Sequence, residues 1–336
     1  MLKSLAAKVV LSLFSLILAG VIGAAYLVHQ LDVQLNQPLQ LGEVTEWRLP
    51  EGYSVNRVAD NWSGRGWVET SFWIKLAVKL DPQLAHIKAG TYDLDPSQSL
   101  KQTLAMLVSG DQKVFRITLV EGETVAQALE RIEAHPQLQR TVESPQQLAA
   151  LIGFDGDNPE GMIFPDTYQF HAGDSDRGLL KRAAERLNQE LDRAWASRQS
   201  TLPIGSAYEM LILASIIEKE TGLGSERPLI GSVFVNRLNK RMRLQTDPTV
   251  IYGMGDAYQG NIRKQDLRQM TPYNTYRIHG LPPTPIAIVG REALMAAAQP
   301  VSSHYYYFVA RGDGSHQFSE TLQQHNRAVN RYIRKR

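Results

Sequence analysis

The sequence predicts an α+β protein, with a single N-terminal transmembrane helix leading into a mixed α+β body. Three observations carry that expectation. Val9–Val28 is a run of 20 residues without a charge, enough at helical rise to cross about 30 Å of hydrocarbon. Beyond it, segments with apolar residues at helical spacing are interspersed with short apolar strands, without the regular βαβ alternation of an α/β sheet. The composition, 43% hydrophobic and 21% charged over 336 residues, is that of a globular chain with room for a sizeable core.

The anchor is justified first. Lys3 and Lys8 precede the apolar run, and His29, Gln30 and Asp32 follow it. The positive-inside rule then places the N-terminus in the cytoplasm and the body across the membrane. A cleaved signal peptide, cut after Ala25 in Gly23-Ala24-Ala25, is the competing reading, but the run exceeds the usual apolar core of about 7–15 residues. Both readings export the body. The formal net charge of +2 divides along the chain: residues 32–326 carry 29 basic against 34 acidic side chains, and Arg327, Arg331, Arg334, Lys335 and Arg336 form a basic end. A slightly acidic body argues against a broad nucleic-acid surface. With no cysteine, disulfides, thiolate zinc sites and a cysteine nucleophile are excluded.

Along the body, residues 31–43 read as a polar tether. Val44–Leu49 reads as a strand ending in the turn Pro50-Glu51-Gly52, with Ser54 as the N-cap of a short helix through Val58 and Ala59. Phe72, Trp73, Leu76, Ala77 and Leu80 recur at helical spacing, and Ile87–Leu94 reads as a return strand, giving β-α-α-β within residues 44–112. Leu49-Pro50-Glu51-Gly52-Tyr53-Ser54-Val55 lines up with Leu119-Val120-Glu121-Gly122-Glu123-Thr124-Val125. A second strand-to-helix segment is therefore expected in 113–159, unless Glu-Gly-x-Ser/Thr is simply a good connection. The first unit resembles a LysM-type module, which implies binding of N-acetylglucosamine chains. Trp62 and Trp67 are read as exposed aromatics for sugar faces, and Trp73 as core.

Residues 160–336 form the expected last and largest domain. Helices are predicted at Arg177–Ser197, Tyr208–Thr221 and Arg227–Lys240, a loop-rich stretch beyond Leu244, a strand at Tyr305–Ala310 and a last helix at Ser319–Tyr332. The helix around Glu218 is the most informative. Leu211, Ala214 and Glu218 fall at i, i+3 and i+7, so Glu218 continues an apolar stripe, while Lys219 and Glu220 turn off it. A carboxyl group in an apolar wall has its pKa raised, as a general acid for a glycosidic oxygen requires. The competing role is a helix-end Glu that borders the core.

Polar groups in turn-rich segments, Gln245-Thr246-Asp247 and Tyr273-Asn274-Thr275-Tyr276, are candidate cleft residues. Asp247 fits a second carboxylate of a glycosidase pair, or a cap ahead of Pro248. His316 lies in Gly312-Asp313-Gly314-Ser315-His316, a flexible loop suited to substrate contact. The eight histidines show no HxxxH or HExxH spacing, so neither a metal nor a cofactor is expected.

Ordered motifs across the body then carry a resemblance. They include Glu160-Gly161-x-x-Phe164-Pro165-Asp166-Thr167-Tyr168, Ala214-Ser215-Ile216-Ile217-Glu218-Lys219-Glu220-Thr221 and Val233-Phe234-Val235-Asn236-Arg237-Leu238. Leu244-Gln245-Thr246-Asp247-Pro248-Thr249-Val250, Pro272-Tyr273-Asn274-Thr275-Tyr276 and Gly314-Ser315-His316-Gln317-Phe318 follow. Together they resemble the MltG/YceG family of endolytic murein transglycosylases. Two departures stand out: Thr284 where the family commonly has Gly, and Ile288-Val289 where it has Asn-Pro. The resemblance implies an inner-membrane, single-pass lyase with its catalytic domain in the periplasm. It implies cleavage of the MurNAc–GlcNAc β-1,4 bond of nascent strands to a 1,6-anhydroMurNAc end, terminating glycan elongation. It places the catalytic Glu on Glu218, and leaves Gln245, Thr246, Asp247, Tyr273, Asn274, Tyr276 and His316 to bind sugar or orient that acid. Peptidoglycan strands and the membrane are the expected partners, with cell-wall synthases as candidates and nucleic acid excluded. Two rivals stay open: a lysozyme-like hydrolase using Glu218 with Asp247, and an anchored binding protein that scaffolds synthases.

Overall fold

The computed structural model describes residues 2–156 and 158–334. The Lys3 side chain and the closing pair Lys335–Arg336 lie outside the described residues. The chain folds as two compact units, Met1–Phe115 with His171–Gly173, and Arg116–Phe170 with Asp174–Arg336. Mixed helices and three two-stranded sheets make the protein α+β.

The first unit begins with α1 (Leu2–Leu35), an uninterrupted helix whose stretch Ala7–Leu35 is long and apolar enough to cross a membrane. Val9, Leu11, Phe14 and Ile17 lie exposed along it, as lipid-facing side chains would. Strands β1 (Thr45–Leu49) and β2 (Gly90–Leu94) pair antiparallel, with Trp47 opposite Tyr92. Alternation sends Trp47, Leu49, Tyr92 and Leu94 into one core. Helix α2 (Val55–Gly64) is capped by the Ser54 hydroxyl and buries Val55, Val58, Ala59 and Trp62 at i, i+3, i+4 and i+7.

Two expectations about aromatics are corrected here. Trp62 is no surface platform; it is fully buried and meets Trp47 edge-on at 5.3 Å. Helix α3 (Phe72–Leu80) buries Ile74 and Ala77 rather than the Phe72–Leu76–Leu80 side, so Phe72 and Leu80 are exposed and Trp73 half-buried. Several apolar residues on a nine-residue helix offered two possible stripes, and packing chose the one with the small Ala77. The unit also contains α4 (Leu100–Ser109), absent from the sequence reading although Ser99 and Gln102 form a reciprocal capping box at its start.

Strand β3 (Val114–Thr118) carries the chain from the first unit into the second and leads through Glu121-Gly122 into α5 (Val125–Glu133). The aligned repeat is a real local similarity: Gly52 and Gly122 both take positive φ (74° and 78°), and Ser54 and Thr124 both cap the helix that follows. The Glu160 carboxylate reaches the same helix start, accepting from Val125 N–H (2.9 Å), Gly161 N–H (3.2 Å) and the Tyr252 hydroxyl (3.3 Å). Burial pushes its pKa up to about 7 despite those donors. Helix α6 (Pro145–Ile152), not expected from the sequence, starts at a Ser144-Pro145 signal. Strand β4 (Thr167–His171) then leads to α7 (Asp176–Ala196).

The core is built on α8 (Ala207–Glu220), in which every residue from Met210 to Glu218 is buried. A helix apolar on all sides has no solvent face, so it is wrapped rather than laid on a surface. Helices α7, α9 (Arg227–Asn239), α10 (Asp247–Met254) and α11 (Arg291–Ala298) all pack on α8, and α11 also packs on α7 and α9. The stretch beyond Leu244 was expected to be loop; α10 and α11 correct that. Each is only eight residues long, and α10 carries Pro, Thr, Val, Tyr and Gly, so propensity concealed it. Strands β5 (Tyr307–Ala310) and β6 (His316–Ser319) form a hairpin, and α12 (Leu322–Tyr332) follows. The Gly312–His316 segment is therefore a tight connection rather than a flexible loop, with Asp313 accepting from the Ser315 N–H (2.9 Å) and hydroxyl (2.6 Å).

Candidate active site

Glu218 sits on the last turn of α8 and is only 8% exposed. Its Oε1 accepts from Arg227 Nη2 at 2.8 Å. Its Oε2 accepts from the Gly290 N–H at 3.0 Å, at the N-cap of α11, where helix donors are otherwise unused. Both partners arrive because the connection between α8 and α9 is short and α11 packs across both helices. Arg227 is shared: it also bonds Glu292 and lies 3.8 Å from Glu121. Burial raises the Glu218 pKa; Gly290 and Arg227 oppose that, and the Glu121 charge adds to it. The group thus combines an elevated pKa with donors ready to hold its carboxylate. It opens on a cavity of about 530 Å³ lined by Thr118, Glu121, Asp166, Thr167, Thr221 and Arg227.

Four of the other predicted residues gather elsewhere. Gln245, Asp247, Tyr276 and His316 line a second cavity of about 360 Å³, where the α8 residue is Glu220 rather than Glu218. Glu218 and Glu220 lie on one helix at about 200° to each other, so they face different cavities. Thr246 is buried and donates its hydroxyl to Glu220. Tyr276 donates to Asp247 Oδ1 at 2.7 Å. His316 is locked by Glu226 through Nδ1 (2.7 Å) and its backbone N–H (3.0 Å). Gln245 holds a positive φ of 51°, an uncommon conformation for a residue with a side chain. Arg237 braces this wall, donating to the carbonyls of Leu244 and Tyr306 (2.5 and 2.6 Å).

Asn274 and Tyr273 are not brought to either wall. Asn274 is fully buried and staples its own loop, donating to the carbonyls of Asp266 (3.2 Å) and Gln269 (2.7 Å). Tyr273 packs edge-on against Tyr252, with its hydroxyl 2.8 Å from that of Thr284. Thr284, one of the two departures, is thereby accommodated. In the other, Ile288 and Val289 are fully buried, and Ile288 exchanges backbone hydrogen bonds with the 122–123 turn.

Glu220 and Arg227 were missed as site residues. Glu220 was expected to turn off the apolar stripe, and it does, but it lands against the second cavity rather than in open solvent, where burial of its carboxyl group raises its pKa to about 7. The signal was present: Met210–Ile217 is apolar with scarcely a gap, which excludes a solvated face. Arg227 stands nine residues after Glu218 across a turn, a separation no periodicity links. Among the described residues, no group of three or more acidic or histidine side chains could hold a metal ion.

Comparison with known proteins agrees with this architecture. A curated endolytic murein transglycosylase of Bacillus subtilis (strain 168) is 29% identical over 335 residues, covering 93% of this chain and 91% of that protein. One from Streptococcus pneumoniae is 25% identical, covering 85% of this chain and 58% of the relative. The crystal structure of a yceG-like protein from Listeria monocytogenes superposes with a TM-score of 0.55 at 31% identity, over 85% of this chain and 99% of that one. The family model described as YceG-like matches residues 47–331, and the chain belongs to that family.

Proposed function

We propose that this chain is an endolytic murein transglycosylase in which Glu218 is the general acid and base. The observation that carries the reading is the Glu218 carboxyl itself: buried at the end of an apolar helix, raised in pKa, and opening on a cavity. The protonated acid donates to the glycosidic oxygen as the C1–O bond of MurNAc breaks. The carboxylate left behind is held by Arg227 and the Gly290 N–H. It then takes the proton of the C6 hydroxyl of the same ring, whose oxygen bonds to C1 and closes the 1,6-anhydro product. Glu218 ends protonated as it began, and no water is consumed. One carboxyl group suffices because the nucleophile belongs to the substrate at high effective concentration.

A Glu218–Asp247 hydrolase pair is less well supported, since Asp247 lines the cavity of Glu220 and is engaged by Tyr276. The substrate is the glycan strand of nascent peptidoglycan, and cleavage within it terminates elongation. Helix α1 anchors the protein in the inner membrane by a single pass, N-terminus inside and catalytic domain in the periplasm, where cell-wall synthases are its neighbours. The antiparallel β1–β2 pair with α2 and α3 between them supports a LysM-like reading of residues 44–112. Half-buried Trp67, under the Arg65 guanidinium at 4.9 Å, and Trp73 are the tryptophans left near its surface, beside exposed Tyr53 and Phe72. Mass spectrometry of digested glycan strands tests the reaction. Anhydro ends are expected; reducing MurNAc ends, one water heavier, would replace the lyase reading with a hydrolase.

A further inference from the structure

A third cavity, of about 860 Å³, lies between the β5–β6 hairpin and α12 and shares no lining residue with the cavities of Glu218 and Glu220. Its volume falls within the range of ligand-binding sites. Gln324, Arg327, Ala328 and Arg331 line it at i, i+3, i+4 and i+7, one stripe of α12. That stripe is not built as a core face. Its buried member is Ala328, a single methyl group, with an arginine directly before it and another on the next turn. A helix seated on a hairpin for stability alone would bring larger apolar side chains to that stripe, each burying more area. Helix α12 contains no acid, and neither guanidinium is paired with an acid among the described residues. Glu320 lines the same cavity, its backbone N–H fixed by Gln324 Oε1 at 3.0 Å. The rings of Tyr305 and Phe318, 5.7 Å apart, add aromatic surface.

We propose that this groove binds the stem peptide of peptidoglycan, with Arg327 and Arg331 pairing with its carboxylates and Glu320 with the ammonium of its diamino residue. The identity of the peptide rests on the transglycosylase reading, whose substrate carries such a stem on MurNAc. Charge decides between this occupant and the other anionic surface within reach of an anchored protein, the headgroups of a membrane. A stem whose diamino residue is lysine carries two carboxylates and one ammonium, the complement of two arginines and one glutamate. Guanidinium groups suit carboxylates because both are planar and pair through two parallel hydrogen bonds. A layer of anionic headgroups would repel Glu320 and has no use for a concave site. The groove therefore selects strands that still carry their stems.

The test uses the full chain in neutral detergent. The first probe is N-acetyl-L-Ala-γ-D-Glu-L-Lys-D-Ala-D-Ala, with binding followed by calorimetry. Arg327→Gln combined with Arg331→Gln is expected to weaken its Kd about tenfold, the weight of two charge-assisted hydrogen bonds at an exposed site, with the melting temperature unchanged. Glu320→Gln is expected to weaken the same peptide about threefold and to leave a peptide acetylated at the lysine amine unaffected. The second probe is glycan strands with and without their stems. The double variant should raise KM about tenfold on stem-bearing strands only, with kcat unchanged on both. An equal Kd for the free peptide in wild type and double variant overturns the proposal, as does a KM that rises alike on both kinds of strand. Intact peptide binding with lost adsorption to phosphatidylglycerol-doped micelles also overturns it, and makes the arginine pair a membrane contact. If the double variant does not fold, the two peptides on Glu320→Gln decide alone. Arginine-dependent peptide binding by a chain that releases no anhydro ends would remove the transglycosylase reading and leave the groove standing. Anhydro ends without preference for stems would remove the groove alone.

Discussion

Arg227 serves Glu218, Glu292 and Glu121 at once, so its positive charge is divided among three acids. That is why an arginine at 2.8 Å does not hold Glu218 down: burial and the Glu121 charge outweigh it. Glu160 shows the same contest without an arginine. Its pKa of about 7 lies above the ordinary carboxyl value, so between the two the folded state binds more protons than the unfolded one. Its contribution to stability therefore falls as pH rises to about 7 and is level beyond. Glu160→Gln keeps the acceptor for Val125 and Gly161 and abolishes the titration. Thermal melts at pH 5 and pH 8 should show wild type losing roughly 2–3 kcal/mol relative to the variant. Equal losses in the two proteins would contradict the shift. Residues such as Asp176, whose pKa is lowered, act in the opposite direction and cancel in the comparison. At this scale the sequence revealed Glu218, which continues a visible stripe. It concealed the burial of Trp62, which depends on what surrounds its helix.

Helices α7, α8 and α9 were legible within about a residue at each end, because each combines a boundary signal with a long apolar pattern. Helices α10 and α11 were not, although Arg291-Glu292-Ala293-Leu294-Met295-Ala296-Ala297-Ala298 is built from strong helix formers. In α11 the clue was propensity rather than periodicity, and attention to loop-forming neighbours obscured it. How closely α11 sits on α9 depends on Gly231, where an added Cβ would meet the Ala296 carbonyl oxygen at 2.7 Å and Ile217 Cδ1 at 3.2 Å. The first of these is backbone and cannot rotate away. Gly231→Ala should therefore destabilise the unit by about 1–3 kcal/mol in chemical denaturation, despite the better helix propensity of alanine. Because α11 also presents the Gly290 N–H to Glu218, the separation of these helices matters to the acid as well. A neutral or stabilising result would mean that the α9–α11 contact has slack.

Over the whole molecule, the near-neutral net charge is an accident of addition. Basic residues precede the apolar helix and end the chain, and an acidic body offsets them. The Val9–Val28 stretch of α1 lies exposed, and it is near its end, at Leu31 and Leu35, that the helix meets the first core, whereas Met210–Glu218 of α8 is buried throughout. The first is long and apolar enough to cross a membrane and the second forms a core, and composition alone does not separate them. That helix then delivers two carboxyl groups, Glu218 and Glu220, to two cavities. The proposed cleavage depends on the first of them. Its most direct test is digestion of purified glycan strands by wild type beside Glu218→Gln, both shown to be folded by thermal melting. Wild type should release 1,6-anhydroMurNAc ends, and the variant should lose at least about a hundredfold in rate, the low end for removal of a general acid. Undiminished cleavage by Glu218→Gln would contradict the assignment.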